Sequence, residues 1–181
     1  MRIPPLRDTF IAGGILASAW DLYQFLLPIY GHSIGLSASK IGVVLSCFAV
    51  AIFVIRAFIP AMAQRYGEAR SITAAIFLSG IAFVMFAFSH SVWWLPAASV
   101  VLGCGVGCGQ PLSLTLIYNL APPGRQGEAT GVRVSVNHMT NIPVPLFSGS
   151  MGTAIGFMPI FLISAGLMGA CGLMSHRSFM R

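Results

Sequence analysis

Charge is what this sequence has least of. Its 181 residues include ten Lys+Arg and four Asp+Glu, 8% in all, where an ordinary soluble domain carries about 25%. So few charges cannot clothe the surface of a water-soluble domain of this length. The marks of several other classes are missing too. The four cysteines, Cys47, Cys104, Cys108 and Cys171, all sit in apolar stretches. No His or carboxylate stands beside the Cys104/Cys108 pair, which argues against a metal centre and for small buried hydrophobes. The run Gly103, Gly105, Gly107, Gly109 places Cys108 and Gln110 where a dinucleotide loop needs its last glycine, and no strand precedes it. Gly149-Ser150-Met151-Gly152 sets its serine one place early for a hydrolase nucleophile. The net charge of +6 comes without a Lys/Arg cluster or a stacking platform, so nucleic acid is not an expected partner. Neither catalysis, nor a cofactor, nor a bound metal is expected.

What is present is hydrophobic residue, 56% of the chain. Lipid is therefore the expected solvent. A bilayer-spanning helix takes about 20 residues at ~1.5 Å each, so this length holds about six. Long apolar runs and the breaks between them predict an all-α membrane protein with spans at 9–30, 39–63, 71–89, 92–120, 127–154 and 157–175. A segment 1–8 precedes them and a tail 176–181 follows. The breaks are a polar loop from Gly31 to Ser39 with serine caps, a charged one from Gln64 to Arg70, a polar turn at Ser89-His90-Ser91, and Ala121 to Glu128 with two prolines and two glycines.

With a cytoplasmic N-terminus, eight arginines (2, 7, 65, 70, 125, 133, 177 and 181) fall on the cytoplasmic side, Lys40 alone lies outside and Arg56 lies within a span. This positive-inside bias predicts two cytoplasmic termini in a plasma or bacterial inner membrane. Arg2 and Arg7 before Ala17-Ser18-Ala19 imitate a signal peptide cleaved after Ala19. A first transmembrane helix fits better, because the apolar run continues to Tyr30 and Asp8 stands before it.

The third and sixth spans contain no charge, amide or histidine, and such helices can face lipid on all sides. Polar residues are confined to the other four spans: Asp21 and Gln24 in the first, Arg56 in the second, Gln110 in the fourth, and Asn137, His138 and Asn141 in the fifth. Counted from the cytoplasmic ends at ~1.5 Å per residue, most of them lie near the midplane. Four helices should therefore line something wet or internally paired. A midplane carboxylate costs roughly 2.5–3.5 kcal/mol to insert, so an idle Asp21 is not expected. It is either functional or the partner of Arg56 in a structural ion pair. His138 reads equally as a satisfied bundle histidine or a titrating one, and the amides read as interhelical glue or as solute contacts. Trp20 and Tyr23 flank Asp21 as packing or as an aromatic wall. The α-helical glycines, Gly103 to Gly109 and Gly152 with Gly156, suit close helix approach and bending.

Three segments carry a resemblance. Gly35-Leu36-Ser37-Ala38-Ser39-Lys40-Ile41-Gly42 resembles the loop that enters the eighth helix of the major facilitator superfamily. Pro60 to Arg70 (PAMAQRYGEAR) resembles its cytoplasmic signature GxxxD(R/K)xGxx(R/K): Arg65, Gly67 and Arg70 match, while Pro60 and Gln64 replace a Gly and an Asp. Pro122 to Gly131 (PPGRQGEATG) is similar to the turn entering the eleventh helix. The resemblance covers nearly the whole chain and implies helices seven to twelve, a C-terminal half with a three-plus-three inverted repeat. It also implies that helices seven, eight, ten and eleven line the central cavity, the same four that carry the polar residues.

The function so implied is transport of a small solute by alternating access, coupled to protons through Asp21. Trp20, Gln24, Arg56, Gln110, Asn137, His138 and Asn141 would line the cavity, and Arg65, Gly67 and Arg70 would form a cytoplasmic gate. An N-terminal half or a second copy would complete the site. The alternative is a non-transporting truncated or accessory membrane subunit. The expected partners are membrane lipid, the solute and protons.

Overall fold

A computed structural model describes residues 4–89, 93–140 and 156–179, with side chains for 9–89, 93–137, 139 and 156–177. The described residues form six helices and no strand. They are α1 (Pro4–Ser33), α2 (Ala38–Tyr66), α3 (Glu68–Ala87), α4 (Trp94–Leu120), α5 (Gln126–Thr140) and α6 (Phe157–Phe179). All but α5 are long and apolar enough to cross a membrane. The remainder of the expected fifth span, including Asn141, the 149–152 motif and Gly152, lies outside the described residues.

Each helix is continuous because a backbone in lipid must satisfy its own hydrogen bonds. The connections are short where residue chemistry stops a helix. Gly67 joins α2 to α3 at φ +81°, ψ 155°, a region open to glycine alone. Its N–H bonds the Ala63 carbonyl, and its own carbonyl accepts from the Ser71 amide and hydroxyl. Ser37 holds the N-cap position of α2 without a side-chain cap; its carbonyl, rather than the expected hydroxyl, receives the Ile41 amide.

Contacts at the helix ends give an up-and-down order. At one end, the Tyr30 hydroxyl of α1 donates to the Ser89 carbonyl just past α3, and the Tyr30 ring meets Phe157 and Phe161 of α6 edge-on. At the other end, the Asn119 amide of α4 donates to the Glu68 carboxylate that opens α3, at 3.1 Å. Between them lies a core built on Leu16, Leu26, Phe48, Ile76, Phe83, Phe86, Leu102 and Val106.

One expectation is corrected. α3 does not face lipid on all sides: it packs against both α4 and α6, and eleven of its residues are buried, among them Ser71, Ala75, Ser79, Gly80 and Ala82. These small side chains permit close approach, which is how helices associate where water supplies no driving force. The most outward helix is α2, whose Val43, Val50, Phe53, Val54 and Phe58 are all exposed, Phe53 by 82%.

The glycines of α4 explain the packing. A Cβ on Gly103 would lie 2.7 Å from the Phe48 carbonyl oxygen, and one on Gly107 would lie 3.0 Å from the Ile52 Cα, both on α2. One on Gly105 would meet the Ala75 carbonyl of α3 at 2.8 Å, and one on Gly109 would meet Leu16 of α1 at 2.5 Å. Two pairs spaced four apart thus seat α4 against three helices at once.

Candidate functional site

Just beyond the last of these glycines the helices separate. A cavity of about 500 Å³ opens between α2, α4 and α5, lined by Arg56, Ile59 and Pro60, by Gln110, Pro111 and Leu114, and by Arg133. Its position follows from two helix-internal prolines. Pro60 and Pro111 have no N–H, so the carbonyls of Arg56 and Gly107, four residues earlier, lose their helical donors. The glycines press α2 and α4 together above this level; the prolines, each of which removes one helical donor, lie at it.

Counting along the axes places the polar residues together. Arg56 is ten residues from the end of α2, Gln110 ten from the end of α4 and Arg133 seven from the start of α5, or about 10–15 Å in from that side at ~1.5 Å per residue. Arg133 is only 5% exposed. Its Nη2 donates to the Ser113 hydroxyl at 2.7 Å and to the backbone carbonyl and side-chain oxygen of Gln110, each at 3.2 Å. Its buried Nε has no hydrogen-bond partner. Gly13 of α1 makes the room: a Cβ there would lie 3.2 Å from that Nε and from the Ser113 oxygen.

The structure adds a property to Arg133 that the sequence reading, which counted it with the cytoplasmic arginines, did not contain: it is a buried cation whose described hydrogen bonds all go to neutral acceptors. A charge at the centre of a bilayer costs about 2.5–3.5 kcal/mol on insertion scales and less toward a helix end, and neutral acceptors offset a cost of burial only in part. The signal was present in Gly131-Val132-Arg133-Val134-Ser135-Val136-Asn137: an arginine with apolar neighbours, on the same helical face as Asn137 four residues on.

The remaining expected residues divide into several groups. Arg56 and Gln110 share the cavity with Arg133. Arg56 is exposed and forms no ion pair among the described residues, so the pair with Asp21 weighed from sequence is not made. Asp21 is half-buried and stands eight residues beyond Gly13 along α1, about 12 Å away at ~1.5 Å per residue, outside the lining of this cavity. Gln24 is exposed. Trp20 packs edge-on against Phe48, with ring centroids 5.2 Å apart. Its neighbour Tyr23 turns inward, donating its hydroxyl to Ser99 at 2.9 Å and stacking on Phe48. Asn137 is half-buried on α5 and His138 follows it on the same helix; the His138 side chain and Asn141 lie outside the described residues. Arg65, Gly67 and Arg70 cluster at the exposed α2–α3 turn, the Arg65 guanidinium 5.5 Å from the Tyr66 ring centre. A second groove of about 520 Å³, between α2 and α4, is apolar and includes Val50, Val54, Phe58 and Cys104.

A bundle of apolar helices with Arg56, Gln110 and Arg133 brought to one open cavity is the pattern that comparison with known sequences resolves. The family model described as Major Facilitator Superfamily matches residues 9–180. The chain belongs to the major facilitator superfamily. This superfamily chain is thus an integral, multi-pass membrane protein. Among its curated relatives is the quinolone resistance protein NorA of Staphylococcus aureus, 26% identical over 140 residues, which make up 77% of this chain and 36% of the relative. Another is the multidrug resistance protein MdtG of Yersinia enterocolitica, 24% identical over 172 residues, or 92% of this chain and 41% of the relative. The chain spans about two fifths of the length of the curated relatives it matches.

Proposed function

We propose that this chain acts as the C-terminal half of a proton-coupled transporter that moves a small, drug-like organic solute by alternating access. The observation that carries the proposal is the cavity whose polar lining comes from three helices, within a chain whose family is established over 9–180. Its volume of about 500 Å³ falls within the roughly 300–1,000 Å³ usual for small-molecule sites. The names of the relatives supply the solute class, a quinolone being the first candidate.

In this reading helices seven, eight, ten and eleven are α1, α2, α4 and α5, with the three-plus-three inverted repeat of the family. The outward apolar face of α2 meets an N-terminal half or a second copy. Both termini are cytoplasmic. Asp21 carries the proton: dehydration raises the affinity of a carboxylate for H+ in one gate state, and hydration lowers it in the other. Trp20, Gln24, Asn137, His138 and Asn141 complete the solute path, and Arg65, Gly67 and Arg70 form the cytoplasmic gate at the α2–α3 turn.

The test is uptake of a fluorescent quinolone into inverted vesicles that contain the chain together with an N-terminal half, with and without an imposed pH gradient. Gradient-driven uptake is expected for the wild type. Asp21→Asn should abolish the dependence on the gradient while retaining exchange of internal for external solute. Unaltered gradient dependence in this variant sinks the coupling role, and absence of any uptake by the wild-type pair sinks the transport reading.

A further inference from the structure

We propose that the cavity between α2, α4 and α5 recognises an anionic group, a carboxylate borne on an apolar body, with Arg133 and Arg56 as the recognising residues. The proposal rests on the transport reading for its biological setting but on independent observations for its chemistry. Two guanidiniums line one cavity of about 500 Å³, and among the described residues no carboxylate lines it with them. Arg133 is 5% exposed, its described hydrogen bonds all go to neutral acceptors, and its Nε has none. Arg56 forms no ion pair among the described residues. Two like charges on one cavity wall, the buried Arg133 and the exposed Arg56, favour entry of a counter-charge.

The shape of the lining narrows the ligand further. Ile59, Pro60, Pro111 and Leu114 form the rest of the wall, so a bare hydrated ion would leave apolar surface uncovered, whereas an aromatic or aliphatic acid would cover it. Gln110 presents its amide beside Arg133 and can turn an N–H toward a carboxylate oxygen. The planar guanidinium matches a carboxylate in a two-bond fork that an ammonium cannot copy. Asp21 lies outside the lining, so proton binding and anion binding occupy different levels of the bundle.

The test uses the full chain purified in neutral detergent, with 2-naphthoate as probe and 2-naphthamide as its uncharged counterpart, measured by equilibrium dialysis. Wild-type chain should bind the carboxylate at least tenfold more tightly than the amide. Arg56→Gln and Arg133→Gln should each lower carboxylate binding toward the amide level, Arg133→Lys should restore only part of it, and Arg177→Gln, at the exposed end of α6, should change nothing. Since Arg56 is exposed, its variant decides the matter even if Arg133→Gln does not fold. Equal binding of acid and amide by the wild type, or undiminished preference in Arg56→Gln, overturns the proposal. So does displacement of the probe by phosphatidylglycerol added to the micelles at one lipid per chain, which would make the site a lipid-headgroup site. Quinolone uptake that persists without any carboxylate preference overturns the anion site and leaves the transport reading standing; carboxylate binding by a chain that does not transport does the reverse.

Discussion

Replacing Gly103 by alanine tests the packing that holds the bundle together. The new Cβ would stand 2.7 Å from the Phe48 carbonyl oxygen and 2.9 Å from the Ala51 Cβ. Ordinary contact begins near 3.4 Å, so α2 and α4 must part by about 0.7 Å at this point. The obstacle is backbone on a helix and cannot rotate away. Overpacking of this kind costs about 1–3 kcal/mol, against which alanine recovers about 0.5–1 kcal/mol of helix propensity. A net loss of up to about 2.5 kcal/mol is expected, or as much as several degrees in unfolding temperature at about 2–4 °C per kcal/mol. The control is Gly14→Ala on α1, where a Cβ meets nothing within 4 Å and only the propensity gain remains. Thermal unfolding of the two variants in one detergent gives the comparison. A Gly103→Ala chain that unfolds at or above the temperature of Gly14→Ala would refute the close α2–α4 approach.

Two other perturbations probe separate parts of the fold. Gly67→Ala forces a side chain into φ +81°, ψ 155°, at about 1–3 kcal/mol; hydrogen exchange should quicken for the amides of Gly67 and Ser71, and unaltered exchange would contradict the turn geometry. Tyr23→Phe removes the 2.9 Å bond to Ser99 while keeping the ring against Phe48 and Phe86. It should cost about 0.5–1.5 kcal/mol, where Tyr23→Ala should cost about 3–5 kcal/mol by opening a cavity; equal losses would mean the ring does not pack as described.

Much of the architecture was legible without coordinates because the bilayer restricts the choices. Apolar runs such as Val43 to Phe58 can satisfy their backbones only as helices, and the spacing of Gly103, Gly105, Gly107 and Gly109 already marked two close-packing faces. Burial was less legible. An uncharged helix reads alike whether lipid or protein surrounds it, so α3 looked lipid-facing until Gly80 met Met168 and Ala75 met Gly105 and Gly109. Arg133 was obscured by a rule of location: an arginine seven residues into α5 sits close enough to a helix end to be counted with the cytoplasmic charges.

The sequence by itself therefore determined the solvent, the helical class and the family, since each depends on composition or on local motifs. The tertiary structure decided which polar residues share a space. Arg56, Gln110 and Arg133 lie on three helices, separated by more than fifty residues and by more than twenty. Only the rotation and depth of those helices, set by glycines at one level and prolines at the next, bring two arginines into one cavity and leave Asp21 outside its lining.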